Sequence, residues 1–133
     1  MFNWESRWGF KGMSAARVLC VDDNDRILAS LKMGLESRGF EVVTAKHGLD
    51  ALGEFMGHEG EFNAILTDSD MTYMDGLELV IAVRKEGFRG RIFVMSGNLS
   101  PSESEAFSAQ GVSSFIQKPF NLSRLVALFS NDC

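Results

Sequence analysis

No apolar run in this 133-residue chain approaches the ~20 residues that a membrane-spanning helix needs. No uninterrupted apolar stretch stands near the N-terminus either, so no secretory signal is visible. Cysteine is scarce: Cys20 and Cys133 lie at opposite ends, which excludes a zinc-type cysteine cluster. A free, reduced pair suits the cytoplasm, and Cys20, inside the apolar run Val18–Val21, reads as a small core residue. Positive charge is also short, with 13 Lys and Arg against 18 Asp and Glu and a formal net charge of −5. That argues against nucleic acid or an anionic membrane as the main partner, because both need clustered cations. About fifteen residues follow Lys118. They have room for one last helix, so no DNA-binding output element is expected among them.

What is present is ordinary for one globular domain, with 45% hydrophobic residues. The regular pattern begins at Arg17, which divides the chain into an extension, 1–16, and a domain, 17–133. The extension holds Phe2, Trp4, Trp8 and Phe10 among Gly, Ser, Arg and Lys. It reads as an unstructured segment or expression remnant, or else as an aromatic arm that packs on a partner or a neighbouring copy.

From Arg17 onward, short apolar runs alternate with stretches of helical period. Val18–Val21, Val42–Ala45, Ala64–Thr67, Ile92–Met95 and Ser114–Ile116 read as strands. Ile27, Leu28, Leu31 and Leu35 mark a first helix that ends at Gly39, and Ala51, Leu52, Phe55 and Met56 a second. Leu77, Val80, Ile81 and Arg84 mark a third, stopping near Gly87. A fourth opens at Ser100-Pro101 with Ala106, Phe107 and Gln110, and Asn121 caps a last one carrying Leu122, Leu125, Val126 and Phe129. Strands that are apolar throughout and separated by helices predict a parallel α/β sheet covered on both faces. Right-handed crossovers make it doubly wound, with the working site at the carboxyl ends of the strands.

The residues at those ends form a set. Asp22, Asp23, Asn24 and Asp25 follow the first strand, and Asp68, Ser69 and Asp70 the third. Ser96, Gly97 and Asn98 follow the fourth, and Lys118 and Pro119 the fifth. Each pair of like charges about 4 Å apart costs about 4 kcal/mol at an effective dielectric of about 20. Asp22, Asp23 and Asp68 together therefore call for a cation. Oxygen ligands at this density suit Mg²⁺, and Lys118 supplies a second positive charge. An ionised Asp68 in that setting is a nucleophile suited to phosphoryl transfer, which needs mainly positioning and charge neutralisation. Taken singly, the residues have plainer readings. Asp22 or Asp25 could cap the first helix, Ser96 is a common turn residue, and Lys118 alone would be a solvated lysine. Their shared location at successive strand ends lifts them above these.

This set resembles the receiver domains of bacterial response regulators. Val21-Asp22-Asp23-Asn24 is similar to the acidic-pair motif of that family. Leu66-Thr67-Asp68 with Met71, Met74, Asp75 and Gly76 is similar to the phosphoacceptor strand and loop. Val94-Met95-Ser96-Gly97 fits the switch strand, and Gly111, Phe115, Lys118, Pro119 and Phe120 fit the final strand and its Lys-Pro turn. Gly48 and Ala51 fit as well, and the resemblance covers about 17–130. It implies a flavodoxin-like, five-stranded sheet of order 2-1-3-4-5. It implies that Asp68 is phosphorylated from a phosphohistidine on a histidine kinase or histidine phosphotransfer protein. Asp23 would then bind Mg²⁺ directly, Asp22 through water, and the backbone carbonyl of Asp70 would complete the protein ligands beside Asp68. Ser96 would hydrogen-bond the phosphoryl group, and Lys118 would pair with it next to a cis Lys118-Pro119 bond. Phe115 would be the rotating aromatic of a protein-binding face formed by helix 4, strand 5 and helix 5, which could also dimerise. His47 and His58 are expected only in surface roles.

Three positions depart from the family pattern. Thr72 stands where the family usually has proline, Asp70 is acidic where many members are not, and Gly97 replaces a more usual alanine. These are expected to change loop mobility and phosphoryl lifetime without abolishing acceptance. Asp68-Ser69-Asp70-Met71-Thr72 is also similar to the nucleophile motif of haloacid-dehalogenase-like phosphatases. That family places its second acidic pair after the lysine, where this chain has only Asp132, and the chain has no room for a cap domain. A receiver fold that binds partners without phosphorylation is a further reading, opposed by the intact set of Asp23, Asp68, Ser96 and Lys118.

Overall fold

The structure is a computed structural model that describes residues 16–131. Strands β1 (Arg17–Val21), β2 (Glu41–Ala45), β3 (Ala64–Asp68), β4 (Arg91–Ser96) and β5 (Ser114–Gln117) alternate with helices α1 (Asp25–Glu36), α2 (Gly48–Gly57), α3 (Gly76–Lys85), α4 (Pro101–Ala109) and α5 (Leu122–Asn131). The five strands form one sheet of order β2-β1-β3-β4-β5, and every pair is parallel. The expected architecture and strand order are both observed.

Alternation along each strand divides the core into two layers. Val18, Cys20, Ala64, Leu66, Phe93 and Met95 face α1 and α5, where Leu31, Leu35, Leu125, Val126 and Phe129 meet them. Leu19, Val21, Ile65, Ile92 and Val94 face the other way, onto Ala51, Phe55, Leu79, Val80, Val83 and Phe107. Burying strands on both faces is why they read as continuous apolar runs rather than alternating ones. Cys20 is fully buried and free, and burial pushes its thiol up to about 12.

Helix entries follow the capping signals. Ser100 accepts from the Glu103 N–H at 3.1 Å and Glu103 reaches back to the Ser100 N–H at 3.0 Å, with Pro101 in the first turn. Asn121 accepts from the Arg124 N–H at 3.1 Å, as its position in the sequence predicts. Gly39 and Gly87, at φ +92° and +93°, turn the chain out of α1 and α3 in a conformation that other residues adopt at a cost. Regular helix ends at Glu36, three residues before Gly39.

In two helices one residue of the sequence pattern faces outward while its other apolar residues pack on the core. Met56 is 50% exposed and Ile81 36%, while α3 buries Leu79, Val80 and Val83 instead of a stripe through Ile81. The first cap also differs. Asn24, not Asp22 or Asp25, caps α1, accepting from the N–H groups of Arg26 and Ile27. Asp25 sits one residue inside the helix and pairs with Lys46 at 2.9 Å. The extension 1–16 lies outside the described residues except for Ala16, which is fully buried and whose carbonyl accepts from the Glu41 N–H at 2.8 Å. Among the described residues, no helix is long and apolar enough to cross a membrane.

Candidate functional site

β1 and β3 are adjacent and parallel, so their carboxyl ends emerge together. Asp22 is the first residue past β1 and Asp68 the last of β3. Asp22 is fully buried, and its N–H and both carboxylate oxygens are hydrogen-bonded. Its N–H donates to the Ala45 carbonyl at 3.1 Å, Oδ1 accepts the Asn24 N–H at 2.9 Å, and Oδ2 accepts the Lys118 Nζ at 2.8 Å. Asp23 is exposed beside it. Asp22, Asp23 and Asp68 each bring a carboxylate oxygen within 4.8 Å of the others.

Lys118 comes from the loop after β5. Its N–H donates to the Ser96 carbonyl at 2.8 Å, which fixes the backbone, and its ammonium lies 3.4 Å from Asp68 Oδ1. Asp68 is 7% exposed. Burial, and then the neighbouring Asp22 carboxylate, raise its pKa above the ordinary value, and Lys118 and the Asp70 N–H only partly oppose them. Burial lowers the Lys118 pKa, but the hydrogen bond and attraction of Asp22, followed by Asp68, more than offset this, and the net shift is upward.

One ammonium among three carboxylates leaves the site negative. That charge adds to burial in pushing Asp68 up, and a hard divalent cation would oppose both. The donor set is oxygen only, which fits Mg²⁺ and disfavours soft transition metals.

Ser96 ends β4, one residue beyond Met95, the partner of Asp68 across the ladder. Its side chain is nearly buried, and its Oγ accepts the Asn98 N–H at 3.2 Å. That leaves the hydroxyl proton available to an incoming acceptor. Phe115 is not part of the acidic cluster. It stands on β5, 41% exposed, with its ring edge-on to Phe107 at 6.2 Å. The Lys118–Pro119 bond is cis.

Asp70 is exposed and lies outside the three-carboxylate group, its N–H turned to Asp68. Sequence reasoning thus named every side chain of the cluster. It missed the groups that hold them. Thr67 Oγ1 donates to the Asp68 carbonyl at 3.0 Å, and the Ser69 N–H to the Met95 carbonyl at 2.9 Å. A Cβ on Gly76 would stand 2.3 Å from the Asp68 carbonyl oxygen, so this loop closes only with glycine there. The run Asp22-Asp23-Asn24 did carry a signal for the Asn24 cap, since an asparagine just before a helical period is a strong cap.

Residues 18–130 match the response regulator receiver domain family. The transcriptional regulatory protein PrrA of Mycobacterium leprae is 39% identical over 116 residues, 87% of this chain and 49% of the relative. The response regulator MprA of Mycobacterium bovis is 32% identical over 113 residues, 85% of this chain and 48% of the relative. The chain therefore spans about half the length of these curated relatives. Chemotaxis protein CheY4 of Vibrio cholerae superposes with a TM-score of 0.81 at 30% identity, covering 90% of this chain and all of the other. A CheY-like receiver domain protein of Methanospirillum hungatei gives 0.80 at 30% identity, covering 87% of this chain and 91% of the other. The match over nearly the whole chain, the parallel 2-1-3-4-5 sheet and the acidic cluster at its strand ends agree, and the chain belongs to the response regulator receiver domain family.

Proposed function

We propose that this receiver domain takes a phosphoryl group onto Asp68 from a phosphohistidine of a sensor histidine kinase or a histidine phosphotransfer protein. A histidine N–P bond breaks as an Asp68 O–P bond forms, and later attack by water on phosphorus releases phosphate. The observation that carries the reading is the convergence of Asp22, Asp23 and Asp68 within 4.8 Å, with Lys118 against two of them.

The residues divide the work. Asp68, at the end of β3, is the nucleophile. Asp23 and Asp68 would hold Mg²⁺ directly, Asp22 through water, and the Asp70 carbonyl would complete the protein ligands. When bound, Mg²⁺ supplies neutralisation of the charge on the transferring group. Lys118, already 3.4 Å from Asp68, turns to the phosphoryl oxygens once they are present. Ser96 donates its hydroxyl to one of them and carries the change to the loop through Gly97 and Asn98. Phe115 then leaves its exposed position, and the face of α4, β5 and α5 changes its affinity for a downstream protein or a second copy of the chain. The domain catalyses its own phosphorylation and dephosphorylation and turns over no separate substrate. Its work suits the cytoplasm, with no direct contact to nucleic acid or membrane by these residues.

Thermal unfolding with Mg²⁺ and beryllofluoride tests this reading. The adduct mimics an aspartyl phosphate, so the wild type should gain several degrees only when both are present, and Asp68→Asn should gain none. Equal gains in the two proteins would remove Asp68 from the proposed role.

A further inference from the structure

β2 contributes no side chain to the acidic cluster, yet the four residues at its exit touch both acidic loops. The Ala45 carbonyl accepts the Asp22 N–H at 3.1 Å, and Lys46 pairs with Asp25 at 2.9 Å. The His47 ring meets the Tyr73 ring edge-on, with centroids 5.0 Å apart and planes at 67°. The Gly48 N–H donates to the Met74 carbonyl at 3.1 Å. Tyr73 and Met74 belong to the loop that runs from Asp68 to α3.

The contact is built closely. A Cβ on Gly48 would lie 2.2 Å from the Met74 carbonyl oxygen, so only glycine lets the two loops approach this near. His47 is anchored before it meets Tyr73, because its Nδ1 accepts the Asp50 N–H at 3.1 Å and caps α2. Tyr73 is 80% exposed at φ +68°, an uncommon conformation for an aromatic residue. Thr72 leaves φ free where a proline would fix it. The contacts at the exit of β2 therefore add to the loop's own bonds, from the Met74 N–H to the Thr72 carbonyl at 2.8 Å and from the Gly76 N–H to the Ser69 carbonyl at 3.0 Å.

We infer that the Ala45–Gly48 junction is a strut that sets the phosphoacceptor loop at its working distance from Asp22 and Asp23, with His47 and Tyr73 as positioning residues. The inference deepens the function proposed above and rests on it. The ring contact orders residues 70–75 and so the carbonyl of Asp70. The Ala45 carbonyl ties the same junction to the acidic pair on the opposite side.

The test compares the full wild-type chain with Tyr73→Asn, His47→Asn and Tyr73→Asn/Thr72→Pro. Asparagine adopts positive φ readily at position 73, and at 47 it keeps a cap acceptor without the ring. Two quantities are read: amide exchange across residues 70–75 without a phosphodonor, and the Mg²⁺ concentration giving half-maximal phosphorylation by acetyl phosphate. Each single variant should keep its melting temperature, exchange faster in the loop and need about tenfold more Mg²⁺. Thr72→Pro should restore most of both losses in the double variant. Exchange and Mg²⁺ requirement equal to wild type in both single variants would overturn the strut, and so would a double variant as impaired as Tyr73→Asn alone. A wild type that accepts no phosphoryl group would instead refute the proposed function, and the exchange comparison would still decide the strut.

Discussion

Asp68 and Lys118 carry opposite consequences for stability. The raised pKa of Asp68 means that the folded protein holds this proton more tightly than the unfolded chain does. The resulting penalty is absent below the ordinary carboxylate pKa and grows as pH rises from there through the raised value. Asp68→Asn should therefore stabilise the metal-free protein at neutral pH by about 1–2 kcal/mol in urea unfolding. The gain should shrink as pH falls through that window and when Mg²⁺ is added to the wild type. An Asp68→Asn protein less stable than wild type without metal would contradict the electrostatic reading. Lys118→Ala should do the reverse. It leaves the fully buried Asp22 without its ammonium partner at 2.8 Å, which costs about 3 kcal/mol. Residue types at strand ends made Asp22, Asp68 and Lys118 legible in the sequence. That Lys118 lies nearer Asp22 than Asp68 was not legible, because side-chain reach across a 96-residue separation depends on how β5 docks.

At the scale of elements, the strands were legible to within a residue or two, most plainly β1, β3 and β4, which are buried on both faces and read as apolar runs. Helix phase was harder. Ile81 joins an apolar stretch in the sequence, but α3 buries Leu79, Val80 and Val83 and leaves Ile81 outside. Loop contacts were the least legible, since close approach leaves only a glycine as its trace. Two glycine substitutions separate the cases. Gly76→Ala would force a methyl group to within 2.3 Å of the Asp68 carbonyl and should cost about 2–3 kcal/mol, with the acceptor loop displaced. Gly53→Ala, in α2 with nothing near its Cβ position, should add about 1 kcal/mol. Chemical denaturation of the two variants checks both signs. Ser100→Ala removes the capping box of α4 and should cost about 1 kcal/mol by the same assay.

For the whole molecule, topology and site follow from one another. Order β2-β1-β3-β4-β5 puts the two acidic strands side by side in the middle of the sheet and the strands carrying Ser96 and Lys118 to one side of them. Asp22 and Asp68 thus meet at the centre, and Ser96 and Lys118 approach from the same flank. The charges of such a centre oppose folding in the absence of a cation, and the core layers on either face hold it together. The sequence could suggest the central pairing only through resemblance, because a run of β-α repeats fits more than one strand order. On the proposed function, Asp68 accepts a phosphoryl group in a Mg²⁺-dependent reaction. Intact-protein mass after incubation with acetyl phosphate, with and without Mg²⁺ and beside Asp68→Ala, tests it most directly. The expected result is a single acid-stable, base-labile phosphoryl adduct that needs Mg²⁺ and is absent from Asp68→Ala. No adduct on the wild type, or an equal adduct on Asp68→Ala, would contradict it.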